Sequence, residues 1–286
     1  MLERTEGLYR RRKLVNRAMM GAMILAVAVA VIPLFLILFY LVKEGLPGVT
    51  WSFLTQDPTR PGLAGGGVRN AIVGSGIMVG LALLMGVPIA IGAGVFLSEY
   101  GQNRAGSILR FLIEVMAGIP SITVGLFIYA LIVARQHHFS GFAGACSLAI
   151  LLIPIVARIT EEMLLLVPRS LKEASYALGA PRWLTAVKIV LPTALPGIIT
   201  GVMLALSRIA GEAAPLLFTS LGNQFNTVDI NTPMDALPRR IYVYATGPYQ
   251  YWHDQAWAMS LLLVGIILII SLAVRALFGT RVTVRQ

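Results

Sequence analysis

Two charged residues stand where charge is expensive. The run Ser207-Arg208-Ile209-Ala210-Gly211-Glu212 falls inside a long apolar stretch. An Arg at the centre of a bilayer-crossing helix costs about 2.5–3.5 kcal/mol on insertion scales. A residue kept at that cost normally faces a bundle interior or an aqueous path. If its helix begins near Thr193, Arg208 lies roughly 22 Å along it, past the middle of a bilayer. Glu212, four residues on, then shares its face. The two can simply neutralise each other, although Arg before Glu is the poorer order for such a pair. They can also line the path of an oxyanion, because a guanidinium presents a planar fork that takes two oxygens at once. A carboxylate beside it repels an ordinary anion but tolerates one that still carries a proton. Near neutral pH phosphate carries one and sulfate does not.

The elements that must position this pair are membrane spans. Of 286 residues, 57% are hydrophobic and only 13% charged, and the mean hydropathy is +0.79. Soluble domains carry about a quarter charged residues, whereas here the apolar runs reach the ~20 residues that cross a bilayer. The pattern predicts an all-α bundle of about six spans: Ala18–Val42, Ala71–Leu97, Phe111–Ala134, Gly141–Ala157, Thr193–Thr219 and Trp257–Phe278. The first is too long for a cleavable leader and is expected to remain as an anchor. Gly197 with Gly201, and Gly76 with Gly80, are small-xxx-small pairs expected to permit helix packing.

The net charge of +10 reports topology rather than a nucleic-acid partner. With the N-terminus inside, sixteen basic residues are cytoplasmic and six external, and Arg208 lies within a span. The positive-inside rule selects this orientation, with both termini cytoplasmic. Cys146 stands alone and His137-His138 have no ligand partners nearby, so no metal site or disulfide is expected. The glycine run Gly62, Gly65, Gly66 and Gly67 is not a phosphate-cradling loop, since Val68-Arg69-Asn70 supplies neither the Lys nor the hydroxyl that such a loop needs.

One cytoplasmic loop, 167–192, carries its own signals. Ser170 and Glu173 form the S-x-x-E pattern of a capping box. Gly179 stands where a left-handed residue ends a helix, and Pro181 follows. Between them a helix of about nine residues is predicted, with an apolar stripe of Leu171, Ala174 and Leu178. A helix this short is marginal alone and must dock, either on the membrane and its own bundle or on a partner.

This loop resembles the EAA loop of ABC importer permeases: Glu173-Ala174-Ser175, then Gly179, Ile189, Leu191 and Pro192 keep every interval of that motif, with Ser175 replacing an Ala. The resemblance implies a type I ABC importer permease fold. It also implies that Ser170–Gly179 sits in a cleft of a separate ATPase subunit, so that the chain is no enzyme and binds no cofactor, with ATP and Mg on the partners. Ala174, Ser175 and Ala177 would then let a partner approach closely.

A narrower likeness is carried by GIPSITVGLFIYALIVA, VPRSLKEASYALGAP, SRIAGEAAPLLFT and GGGVRNAIVGSG. These are similar to the phosphate-import permeases of the PstA type, over most of the chain from Gly65 to Thr219. That likeness implies a path lined by Arg208, Glu212 and, from the R-x-T-E segment, Arg158 with Glu161. It implies a PstC-type permease, two PstB-type ATPases and a PstS-type external phosphate-binding protein as partners, in a bacterial inner membrane. The expected organisation is a basic cytoplasmic N-terminus at 1–17, the transmembrane domain at 18–280 and a cytoplasmic tail at 281–286. Another oxyanion such as sulfate or molybdate is the nearest alternative substrate. A gradient-driven secondary transporter is more distant, because no inverted repeat is legible.

Overall fold

The computed structural model describes residues 2–60 and 63–279, so Gly62 and the expected tail at 281–286 lie outside the described residues. The main helices are α1 (Leu2–Gly45), α2 (Arg69–Tyr100), α3 (Arg104–Gly118), α4 (Ser121–Gln136), α5 (Gly141–Leu165), α6 (Arg169–Ala177), α7 (Arg182–Ala210), α8 (Leu237–Ala245) and α9 (Gln250–Gly279). Among the described residues, α1, α2, α5, α7 and α9 are each long and apolar enough to cross a membrane. The pair α3–α4 makes a sixth if taken together.

The bundle forms around α5, which packs against α2, α3, α4 and α7. Its closest neighbour is α2, and the reason is legible in α2 itself. Gly74, Met78, Ala82, Gly86, Ala90 and Gly94 are buried at every fourth position. Small residues on one stripe let two backbones approach without a hydrophobic drive between them. At Gly94 a Cβ would lie 2.6 Å from Thr160 Cβ, and at Gly86 it would lie 2.9 Å from Leu152 Cδ2. Gly197 and Gly201 seat α7 in the same way against Met163 and Ile159 of α5. Gly76 and Gly80 depart from expectation. They face open space in this chain, because the packed stripe of α2 runs through Gly74 and Met78 instead.

Helices α1 and α5 extend beyond the spans read as Ala18–Val42 and Gly141–Ala157, and two spans differ more deeply from the hydropathy reading. The third is not one helix over Phe111–Ala134. It is broken into α3 and α4, which meet at 102°. Pro120 lacks an N–H and forces Ile119 into extended backbone (φ −72°, ψ 130°), so helical bonding stops and restarts there. The fifth runs over Arg182–Ala210 rather than Thr193–Thr219. It starts earlier because Pro192 can be absorbed by a wide turn at Ala186–Val190, where the Leu191 N–H reaches back five residues to the Ala186 carbonyl. It stops at Gly211, and after Pro215 only the short turn Leu216–Thr219 follows.

The two ends of the bundle differ. At one end, the connectors 46–68 and 211–249 fold over the helix ends. A cluster of Phe53, Val68, Ala71, Leu237, Tyr244 and Met259 ties them together. The Leu237 N–H donates to Ser75 Oγ at 2.8 Å, pinning α8 against α2. At the other end lies α6, packed on the start of α7, near a cluster of Leu164, Val167, Val190, Ala194 and Ile198. Helix α1 packs against α9, with Leu41 buried and Gly45 against Trp257 and Leu261. The most apolar stretch of its span has no buried residue, and Gly48 at its exit rests on Ala258 of α9.

Candidate functional site

Helix α6 has the nine residues expected of it, but its N-terminus is built differently. Pro168 already has the extended backbone of a cap (φ −55°, ψ 133°), so the helix starts at Arg169 and Ser170 lies inside it. The predicted Ser170–Glu173 capping box is therefore not formed, and no side chain caps this end. The C-terminus follows the sequence closely. Gly179 has φ +82°, the Gly179 N–H reaches the Tyr176 carbonyl, and the Ala180 N–H reaches Ser175. These two bonds are the paired closure of a helix by a left-handed glycine.

Two polar struts hold α6 to the bundle. Lys172 Nζ donates to Glu99 Oε1 at 2.5 Å, joining α6 to the last turn of α2, with both side chains largely buried. The Ser175 hydroxyl lies 2.8 Å from Thr185 Oγ1, which in turn donates to the Pro181 carbonyl. Ser175 is thus buried inside the chain and does not offer its small side chain to a partner, contrary to expectation. Its place in the motif is explained by a hydroxyl that anchors α6 to the start of α7. Glu99, Lys172 and Thr185 were not singled out from sequence, because their pairing spans up to 73 residues. Beside the struts opens a cleft of about 700 Å³, lined in part by Glu99, Arg169, Lys172, Tyr176 and Arg182.

The other side of α6 is bare. Leu171, Ala174 and Leu178, the expected stripe, are exposed, and Leu178 is 90% exposed. Glu173 is exposed with them, while Leu191 is half-buried and Pro192 exposed at the head of the span. A nine-residue helix that keeps its apolar stripe in the open offers a ready docking surface.

Arg208 lies in the last turn of α7, roughly 39 Å from its start at Arg182. Its neighbour Ile209 is buried beside Met78 of α2 and Leu148 of α5, so the turn sits within the bundle's depth. Arg208 itself is exposed on the surface of the chain, and its side chain makes no hydrogen bond or ion pair among the described residues. Glu212 does not share its helix face. The helix closes with the Gly211 N–H on Arg208 and the Glu212 N–H on Ile209, so Glu212 follows in a turn. No ion pair joins the two, and mutual neutralisation fails as their explanation.

Arg158 is placed differently again. It bonds Glu162 at 3.0 Å, one turn along α5, and Glu114 of α3 at 3.3 Å. Glu161, expected beside Arg158, is buried and takes Arg110 Nε at 2.7 Å. The same guanidinium donates to the Leu97 and Gly101 carbonyls at 3.0 Å each, satisfying the end of α2. The two residues named from the R-x-T-E segment thus make separate ion pairs, Arg158 with Glu162 and Glu114, and Glu161 with Arg110. Among the described residues no His, Cys, Asp and Glu group could hold a metal ion.

The profile of the family described as "Binding-protein-dependent transport system inner membrane component" matches residues 86–284. A protein called phosphate transport system permease protein PstA from Yersinia pestis is 43% identical, over 97% of this chain and 94% of its own length. Proteins of the same name from Haemophilus influenzae and, as PstA 1, from Mycobacterium tuberculosis are 44% and 36% identical over 93% and 92% of this chain. These matches cover 95% and 87% of the two relatives. Among solved structures, a bacterial alginate ABC transporter matches with a TM-score of 0.66 at 16% identity, covering 90% of this chain and 93% of its own. The MetNI methionine ABC transporter matches at 0.59 and 19%, covering 74% and 94%. At such identities these two structures speak for the fold alone.

Proposed function

Because the chain belongs to the binding-protein-dependent transport system inner membrane components, and within them to the phosphate permeases of the PstA type, we propose that it forms half of the path of an ATP-driven importer of inorganic phosphate. The other half would come from a related PstC-type permease. Two copies of a PstB-type ATPase would bind ATP and Mg, and a PstS-type protein would deliver the anion from outside. The chain would reside in a bacterial inner membrane with α6 and both termini cytoplasmic and the 46–68 and 211–249 connectors external. The basic residues favour that orientation.

Coupling would run through α6. Its bare stripe of Leu171, Ala174 and Leu178 is the docking face for the ATPase, and Glu173 is the charged residue beside it. Lys172 and Ser175 then carry displacement inward, one to α2 through Glu99 and one to α7 through Thr185. Gly179 fixes where α6 ends, and Leu191–Pro192 begin the regular part of α7. A path that opens alternately to each side requires two arrangements of similar energy. A helix held by two polar struts suits that need better than one sunk in a core.

The observation that carries the path is Arg208. A cation inside the bundle's depth, exposed on the chain's surface and without a partner among the described residues, needs an anion or a facing subunit to offset its cost. Its fork can take two oxygens of a phosphate directly. Glu212, in the adjoining turn, can accept the proton that a hydrogen phosphate carries. Arg158, already bound to two carboxylates, is the weaker member and would act nearer the inner end.

The test is uptake of labelled phosphate, sulfate and molybdate by phosphate-starved cells lacking only this chain. High-affinity phosphate uptake should fail, return with the wild-type chain, and stay at background with Arg208→Ala at normal membrane abundance. Loss of a different oxyanion would leave the importer and change its substrate. Full phosphate uptake by Arg208→Ala would remove Arg208 from the path.

A further inference from the structure

A second group of arginines lies far from α6, at the head of α8. Asp235 is fully buried, and its Oδ1 accepts from the Ala236 N–H at 2.8 Å and from Arg239 Nη1 at 2.9 Å. Its Oδ2 faces Arg240 Nη2 in close contact. That nitrogen also donates to the Asn223 carbonyl at 3.1 Å, and Asn70 reaches the same carbonyl from α2. The cluster pins the 220s connector and α8 to the head of α2.

Pinning alone does not account for its charge. One carboxylate faces two guanidiniums, so a single positive charge remains in a place where the Arg240 side chain is only 6% exposed. Each arginine also keeps a buried N–H without an acceptor among the described residues: Arg239 Nε and Arg240 Nη1. Buried donors are nearly always satisfied, and those that are not call for a missing partner. Both arginines line a cavity of about 330 Å³, together with Thr59, Gly222, Asn223 and Gln224. Tyr244 and Trp252, stacked at 4.7 Å, form its apolar side, and burial pushes the Tyr244 phenol up so that it remains a neutral hydroxyl. The space exceeds what a single water fills.

We propose that this cavity is a binding subsite for a small tetrahedral oxyanion, phosphate first, which accepts from Arg239 and Arg240 before it reaches Arg208. The proposal rests on the reading of the chain as an oxyanion permease with these connectors outside. A net charge of one, on arginines already fixed by Asp235, suits a way-station: strong enough to draw an anion in and weak enough to release it.

The measurement is equilibrium binding of labelled inorganic phosphate to the assembled transporter, purified in maltoside detergent without the external binding protein. Saturable, millimolar-range binding is expected. Gln224 is exposed at the rim, so Gln224→Glu adds a repelling charge without touching the packing, and it should weaken binding about tenfold. Arg239→Lys keeps a counter-charge for Asp235 but loses the fork and Nε, and should weaken binding similarly at an unchanged melting temperature. Absence of saturable binding, or wild-type binding by both variants, overturns the subsite. So does binding that only Arg208→Ala abolishes, or that anionic phospholipid displaces as a headgroup would. If the variants impair only capture of the external binding protein, the arginines serve an acidic side chain of that protein and the proposal falls. If sulfate or molybdate binds in place of phosphate and the variants weaken it, the subsite stands and the substrate reading fails.

Discussion

The two ends of this bundle are tied by different kinds of bond. At the connector end, Asp235 sits wholly out of solvent between Arg239 and Arg240, over a cluster of Phe53, Leu237 and Tyr244. At the other end, α6 hangs on Lys172–Glu99 and Ser175–Thr185 and leaves its apolar stripe bare. Breaking a fully buried charge cluster strands an uncompensated charge. Breaking the Lys172–Glu99 strut, at the edge of a cleft, lets water take its place. The first end is therefore the costlier to break and the second the easier to release.

Substitutions at the two ends can break that contrast. The largest loss of stability is expected for Asp235→Asn, which leaves two buried guanidiniums without a carboxylate, at about 3–5 kcal/mol. Thermal unfolding of the purified chain in detergent should register it as a clear fall in midpoint. Next comes Gly179→Asp. No atom lies within 4 Å of where its Cβ would stand, so the penalty is backbone strain at φ +82°, about 1–2 kcal/mol. That cost leaves the chain inserted, yet phosphate uptake should be lost while membrane abundance holds. Normal uptake would show that the end of α6 does not matter to coupling. Glu99→Gln should cost about 1–2 kcal/mol, because the Lys172 ammonium loses its counter-charge but can keep the amide oxygen as an acceptor. Its signature is a lower ratio of phosphate imported to ATP hydrolysed. Ser175→Ala is the mildest, at about 0.5–1.5 kcal/mol, with a similar but smaller fall in that ratio. Should Glu99→Gln unfold the chain as readily as Asp235→Asn, α6 would be part of the rigid body and the contrast would be gone.

What could be read from sequence divides along physical lines. The bundle, the nine-residue α6, its apolar stripe and the turn at Gly179 were all legible, because they depend on local composition and on residues with one conformational use. The start of α6 was not, since Pro168 competes with Ser170 for the cap and its fixed φ prevails. Hydropathy placed the fifth span about ten residues late, because Arg182–Val190 mixes charge with apolar residues although its backbone is helical. The partners of Glu161 and Lys172, and Glu114 as the second partner of Arg158, were out of reach. Each pairing depends on which helices become neighbours, and spacing along one helix holds no record of that. Arg208 is the instructive case: its cost was visible in sequence, while the loss of Glu212 as a helix-face neighbour came from a glycine and a proline downstream.

The corner between α3 and α4 has a consequence for how the chain enters its membrane. Each arm is roughly 22–24 Å long, shorter than the ~30 Å of hydrocarbon it must cross. The first arm also carries Arg110 and Glu114, whose partners Glu161 and Arg158 are synthesised some 45–50 residues later on α5. Neither arm is a self-sufficient passenger for the insertion machinery. The opposite charges that complement this broken span come from α5, so the settled position of α3 depends on a helix that follows it in the chain.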